Sequence, residues 1–401
     1  MKYAVVLGDG MADEPIGQLG GKTPLAYANT PMMDQLSETG EVGLAKTIPA
    51  GMKPGSDTAN LAVLGYDPEK YYSGRSPLEA LSIGVPMLPT DIALRCNTVT
   101  LSDEPGIPYA ERTILDHSAD EISTEDAAVL VEAVREAFEN GIYKFYTGTS
   151  YRHCLIWANG VVQDITPPHD ILGKKIGDYL PEDPKLREMM EKSFDILDNH
   201  PLNAARAAAG KHKANSCWFW GAGTKPALSS FTEKTGKKGA MVSAVDLLKG
   251  IAVGAGMQVL HVEGATGGLT TNYEGKAAAA VQALLEDGND FVYIHVEAPD
   301  EMGHQGSVEN KVKSIEYLDS RVIRPLYKAL AASGEDFRIL VMPDHPTPIR
   351  LRTHTGDPVP YLLYDSTKAA GTGVLYNEEA AKTTGVYIEH GHTLIDKLLE
   401  K

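Results

Sequence analysis

Cysteine is nearly missing from this chain. Only Cys96, Cys154 and Cys217 occur in 401 residues, far apart and without Cys-x-x-Cys spacing, which argues against a thiolate zinc site and fits a reducing compartment. Each reads as a small core residue rather than a nucleophile. Long apolar runs are absent as well. Strand-like sequence begins at Lys2, with no basic segment, apolar core or small-residue cleavage site before it, and no later stretch could span a bilayer. A cytoplasmic protein without a membrane partner is therefore expected. Positive charge is scarce: 37 Lys and Arg stand against 54 Asp and Glu, a formal charge of -17, which excludes nucleic acid as the main partner. An anionic substrate would have to be held locally, by metals and a few arginines. A nucleotide-binding loop is missing too. Gly20-Gly21-Lys22-Thr23 imitates the end of one, but Ile16 stands where the Gly-x-x-x-x-Gly-Lys-Ser/Thr pattern requires glycine. No repeat or low-complexity tract is present.

What is there is ordinary globular composition, 43% hydrophobic and 23% charged. The length exceeds what one hydrophobic core usually supports, so two domains, or a core with a large insertion, are expected. Three stretches run apolar and β-prone and then stop at an aspartate: KYAVVLGD at Asp9, DFVYIHVEAPD at Asp300 and FRILVMPDH at Asp344. Buried parallel strands read as short continuous apolar runs, and in open α/β sheets ligands bind beyond their carboxyl ends. Three carboxylates meeting at one rim, with His304, His345 and His354 close by in sequence, form a donor set suited to two divalent cations. Asp300 and His304 fall one turn apart if a helix begins after Pro299. Taken singly, each residue has a plainer reading: Gly8-Asp9-Gly10 is good turn chemistry, and His345 and His354 could be hydrogen-bonded within a Pro-rich loop.

Ser56 is the strongest nucleophile candidate. It follows the Pro54-Gly55 turn at the start of a helix, where backbone N–H groups and the dipole favour negative charge. A plain helix cap is the alternative. Arg75, the pair Arg152 and His153, and the pair His169 and Asp170 are candidates for holding an anionic substrate, with surface ion pairing as the alternative for each. From 113 to 234 the texture changes to an acidic helix, strand-like YKFYTGTSYRHCLIW, a Pro-rich DITPPHDILG and a second long helix. This reads as an α+β domain inserted into an α/β core formed by 1–112 and 235–401.

In combination, GDGMAD, PGSDTANLAVLGYDP, YRHCLIW, TPPHD, GATGG, EAPDEMGHQG, PDHPTP and RTHTGDPVP resemble the cofactor-independent phosphoglycerate mutases of archaeal type, within the alkaline phosphatase superfamily, over essentially the whole chain. The resemblance implies a three-layer core with a mostly parallel central sheet. It implies one metal on Asp300, His304 and His354 and another on Asp9, Ser56, Asp344 and His345, the ions being manganese, zinc, magnesium or cobalt. Ser56 would take phosphate from one hydroxyl of phosphoglycerate and return it to the other. The inserted domain, with Arg75, Arg152, His153, His169 and Asp170, would hold this small phosphorylated substrate and close over it. A homo-oligomer is compatible with the sequence. In one place the chain departs from the family: where archaeal members carry Arg-Gly-Ala-Gly, it has Trp218-Phe219-Trp220-Gly221-Ala222-Gly223. That version resembles a bacterial branch for which homoserine kinase activity has been proposed, which is the alternative function.

Overall fold

The three apolar runs that end in aspartate become neighbouring strands. The computed structural model describes residues 1–399. Its strands, numbered along the chain, are β1 (Lys2–Gly8), β2 (Glu41–Ala45), β3 (Ile92–Leu101), β4 (Ile114–Asp116), β5 (Tyr143–Tyr146), β6 (Arg152–Trp157), β7 (Ser216–Thr224), β8 (Gly239–Val242), β9 (Gln258–Leu260), β10 (Phe291–Val296), β11 (Phe337–Met342), β12 (Val359–Asp365) and β13 (Tyr387–Ile388). They belong to two units, Met1–Tyr72 with Leu228–Lys401, and Ser73–Ala227.

In the first unit, eight strands form one sheet in the order β13-β2-β12-β11-β1-β10-β8-β9. β1 lies between β10 and β11 and runs parallel to both, with Val5 opposite Tyr293 and Leu340. Only β12 is reversed against its neighbours. Alternate residues of a strand face opposite sides of the sheet, and here both sides are closed. Ala4, Val6, Val292, Ile294, Ile339 and Val341 enter one core with Leu318, Val322 and Leu326 of the helices behind them, while Val5, Leu7, Leu340 and Met342 on the other face are equally buried. That is why the runs are continuous rather than alternating. The register places Gly8 beside Val296 and Leu7 beside Met342, so the three strands end level and the residues that follow them emerge at one edge.

A buried ion pair fixes the loops at that edge. Lys311, on the helix Val308–Tyr317, is fully buried and donates to Asp13 Oδ2 at 2.8 Å and to the Thr347 carbonyl at 2.9 Å. Asp13 accepts from the backbone of Ile349 at 3.1 Å, and its own N–H reaches Glu378 at 3.0 Å. Breaking a buried pair by removing one partner leaves an uncompensated charge, which typically costs about 3–5 kcal/mol. Lys311→Met is therefore expected to lower the stability of the first unit by that amount, read as an earlier midpoint in urea unfolding.

The second unit is an antiparallel sheet, β4-β3-β6-β5 with β7 paired to the other side of β3, packed on the helices Thr124–Phe138 and Pro184–Asp198 through its own core. It is an α+β unit inserted into the first. It starts at Ser73 and ends at Ala227, whereas the sequence places the insertion at 113–234. The difference lies mainly in β3. Its run IALRCNTVTL resembles a core strand, but its hydrogen-bonded partners are β4, β6 and β7, and a strand's apolar pattern carries no information about which sheet it joins. Among the described residues no helix is long and apolar enough to cross a membrane.

Candidate metal centre

Each of the parallel strands delivers one carboxylate to the common edge. Asp9 follows β1 and is 3% exposed; Asp344 lies two residues beyond β11 and is 0% exposed. Asp300 sits in the first turn of the helix Ala298–Gln305, with His304 in its last turn. Ligand atoms of Asp9, Asp344 and His345 lie within 4.8 Å of one another, as do those of Asp300, His304 and His354. The two triads also touch, because the rings of His345 and His354 are 4.0 Å apart between centroids.

Ser56 opens the helix Ser56–Val63, with Gly55 in the capping position. Its hydroxyl is not spent on capping. It lies 3.4 Å from Asp9 Oδ2 and 3.1 Å from His345 Nε2, so the nucleophile candidate stands at the Asp9–Asp344–His345 triad. Two further residues hold this arrangement. Asn60, one turn along the same helix, donates its Nδ2 to the Ser56 carbonyl and to Asp344 Oδ2, both at 2.8 Å, and accepts the Tyr293 hydroxyl at 2.5 Å. Burial pushes the Tyr293 phenol well up, so the phenol donates and the amide's orientation is fixed.

His295 supports Asp9. Its Nε2 is 2.8 Å from Asp9 Oδ2 and its Nδ1 is 3.1 Å from the Ser243 hydroxyl. Burial lowers its pKa to about 3, so it is neutral and donates a single ring proton, to the carboxylate. Partners hydrogen-bonded to metal ligands typically contribute 10–100-fold in affinity or activity. His295→Ala is expected to lower kcat/KM by roughly that factor without loss of folded protein, as checked by steady-state kinetics beside circular dichroism.

The donor set fits divalent cations. Asp9 Oδ1 is buried and has no hydrogen-bond partner, a costly state unless an ion takes the lone pair. Burial, then Asp344 and Asp300, push the Asp9 pKa well up, the signature of carboxylates crowded together without a counter-charge. In the other triad, His304 Nε2 and His354 Nε2 are 3.0 Å apart, and both converge on Asp300, at 3.2 and 3.4 Å. His304 donates Nδ1 to the Arg352 carbonyl at 2.9 Å, leaving Nε2 as the ligand atom. Hydrogen bonding to Asp300 raises the His304 pKa to about 9. Burial opposes ionisation of Asp300, but the two imidazoles hold its carboxyl well below the ordinary range.

The substrate-group candidates all lie in the second unit. Arg75 and Arg95 share Glu79, at 2.8 and 2.9 Å. The Arg95 guanidinium stands 4.4 Å over the Trp220 ring, and Trp220 meets the edge of His169 at 5.5 Å. His169 contacts His117, which contacts Tyr151, and Arg152 lies 5.3 Å over that tyrosine. Asp170 is exposed, 3.6 Å from His169. Arg75, Arg152 and His169 thus belong to one basic and aromatic cluster. His153 does not share its face. It is 5% exposed, accepts the Gly148 N–H at 3.1 Å, keeps Nε2 buried without a partner, and has its pKa lowered to about 4 by burial. Sequence reading missed Arg95, Asn60, Tyr293, His295 and Thr347. A histidine and a tyrosine inside the buried strand FVYIHV were the available signal, since buried polar groups need partners.

Residues 37–203 match the family described as 2,3-bisphosphoglycerate-independent phosphoglycerate mutase. A protein of that name from Methanosarcina barkeri is 49% identical over 406 residues, covering 100% of both chains. A probable one from Geobacter sulfurreducens is 48% identical, also covering 100% of both. The solved structure of a cofactor-independent phosphoglycerate mutase from Thermoplasma acidophilum is 29% identical with a TM-score of 0.69, covering 100% of this chain and 99% of that one. A Pyrococcus horikoshii protein of solved structure is 31% identical with a TM-score of 0.80, covering 100% and 97%.

Proposed function

Because the chain belongs to the 2,3-bisphosphoglycerate-independent phosphoglycerate mutase family, we propose that it interconverts 3-phosphoglycerate and 2-phosphoglycerate through a phosphoserine at Ser56. The observation that carries this reading is the Ser56 hydroxyl lying 3.1 Å from His345 and 3.4 Å from Asp9, inside one of two adjoining triads of metal-ligand type. Asp300, His304 and His354 would hold one divalent cation, and Asp9, Ser56, Asp344 and His345 the other. Carboxylate and imidazole donors of this kind suit manganese, zinc, cobalt or magnesium. When bound, such cations stabilise the negative charge shared between attacking and leaving oxygens in phosphoryl transfer.

Within this reading the chain's own groups do the rest. Ser56 Oγ attacks phosphorus, the bond to one glycerate hydroxyl breaks, and that oxygen takes up a proton. The free N–H groups at the start of the Ser56–Val63 helix favour the phosphate then carried by Ser56. The retained glycerate presents its other hydroxyl, which attacks phosphoserine and regenerates the serine. Cationic groups must hold the substrate carboxylate meanwhile, and Arg75, Arg95 and Arg152, with His169, are the proposed partners, Arg95 on Trp220 standing where the family's usual arginine element is changed; Asp170 is the proposed acceptor for a substrate hydroxyl. The described cysteines are free and buried, in agreement with a reducing, cytoplasmic setting.

The alternative, a homoserine kinase, has less support: relatives 48–49% identical over the full length carry the mutase name. An enolase-coupled assay with 3-phosphoglycerate, run beside homoserine plus ATP, tests the reading. Turnover of phosphoglycerate is expected; phosphorylation of homoserine without it overturns the assignment.

A further inference from the structure

Thr347 lies between the segments that carry Asp9, Asp300 and His345. It is fully buried. Its hydroxyl is 2.5 Å from Asp300 Oδ1, as donor, and 3.3 Å from His345 Nδ1. Its carbonyl accepts Lys311 at 2.9 Å and its N–H reaches the Ala12 carbonyl at 3.2 Å. Two glycines make room for it. A Cβ at Gly10, next to Asp9, would come within 2.4 Å of the Thr347 hydroxyl, and one at Gly303, next to His304, within 2.7 Å of the Thr347 carbonyl. One residue therefore touches a ligand of each triad and is packed against the glycines beside Asp9 and His304.

A hydroxyl has one proton to give and lone pairs to accept with. Donating to Asp300, it can accept only from His345, which requires the His345 proton on Nδ1 and leaves Nε2 free to face Ser56 and the Asp9–Asp344 carboxylates. The same hydroxyl thereby orients a carboxylate in one triad and, with the Pro346 carbonyl 3.3 Å from the same nitrogen, holds the tautomer of the imidazole in the other.

We propose that Thr347 is a positioning residue shared by the two metal sites, so that loss of its hydroxyl weakens both together. This rests on the two-metal reading given above. The test is calorimetric titration of chelator-stripped protein with Mn2+, in the parent, in Thr347→Val, which keeps the shape and removes the hydroxyl, and in Thr347→Ser, which keeps the hydroxyl. The His304→Ala background isolates the Asp9–Asp344–His345 site. Thr347→Val is expected to weaken both binding steps by roughly 10–100-fold, and the remaining step by the same order in the His304→Ala background. Thr347→Ser is expected to stay within about twofold of the parent at both steps, against that 10–100-fold loss. Weakening confined to one site, or unchanged binding in Thr347→Val, overturns the shared role while leaving the two-metal reading intact. Absence of Mn2+ binding by the parent overturns both. Should Thr347→Val yield no folded protein, as judged by circular dichroism, Thr347→Ser decides alone: retained affinity supports the hydroxyl's role, and a loss at both sites assigns it to packing of the methyl group instead.

Discussion

Replacing Ser56 by alanine abolishes mutase turnover, by at least about 10⁴-fold, as expected when a covalent nucleophile is removed. The fold and both proposed metal sites are expected to survive the change. The Ser56 side chain caps no helix, since Gly55 holds that position, and the remaining ligands of its triad are fixed by other groups: Asp344 by Asn60, Gly10 and its own neighbour's N–H, and Asp9 by His295. Three measurements give the prediction its content. Steady-state rates fall to background, Mn2+ titration still shows binding, and brief exposure to labelled phosphoglycerate leaves no phosphate on the protein. Substantial residual turnover would remove Ser56 from the mechanism.

Stripping the metals is expected to have an effect of the same order on rate and an additional effect on stability. Without cations, Asp9, Asp300 and Asp344 crowd at one buried edge. Burial is the largest cause of the raised Asp9 pKa, and the two other carboxylates add to it. A divalent ion relieves that repulsion in the folded chain only, so it stabilises by mass action, about 2.7 kcal/mol per site at a hundred times the dissociation constant. Activity should vanish after exhaustive chelation and return on addition of Mn2+. The unfolding temperature should fall and recover in parallel, which separates loss of the ion from loss of the protein. Full activity in chelated enzyme would refute the metal reading.

The strands that place this site were legible because both of their faces are buried: β1, β10 and β11 read as unbroken apolar runs, each followed within a few residues by an aspartate. The supporting residues were harder to see. Asn60 lies within a short helix whose last six residues are all buried, so no polar face marks it, and Thr347 lies in a proline-rich loop whose course no periodicity describes. His295 had a signal, a polar ring inside a buried strand, but attention to strand ends passes over strand interiors. Arg152 and His153 read as one pair in sequence, yet adjacent residues on a strand face opposite ways, and the structure buries the histidine. Arg95 was hidden in the same way, inside the run IALRCNTVTL. The boundary of the second unit lay beyond pattern reading, because pairing of β3 with β6 and β7 is a long-range choice.

The central position of β1 also governs how the chain is made. Its two hydrogen-bonded neighbours, β10 and β11, begin at Phe291 and Phe337, so β1 is made well before either strand it pairs with. At about 5–20 residues per second the wait is roughly 20–70 s. Meanwhile Ser73–Ala227 is synthesised complete with its own core, and KYAVVLG stays uncovered. A chain truncated before Met342 lacks β11 and is expected to leave one edge of β1 unpaired and prone to aggregate.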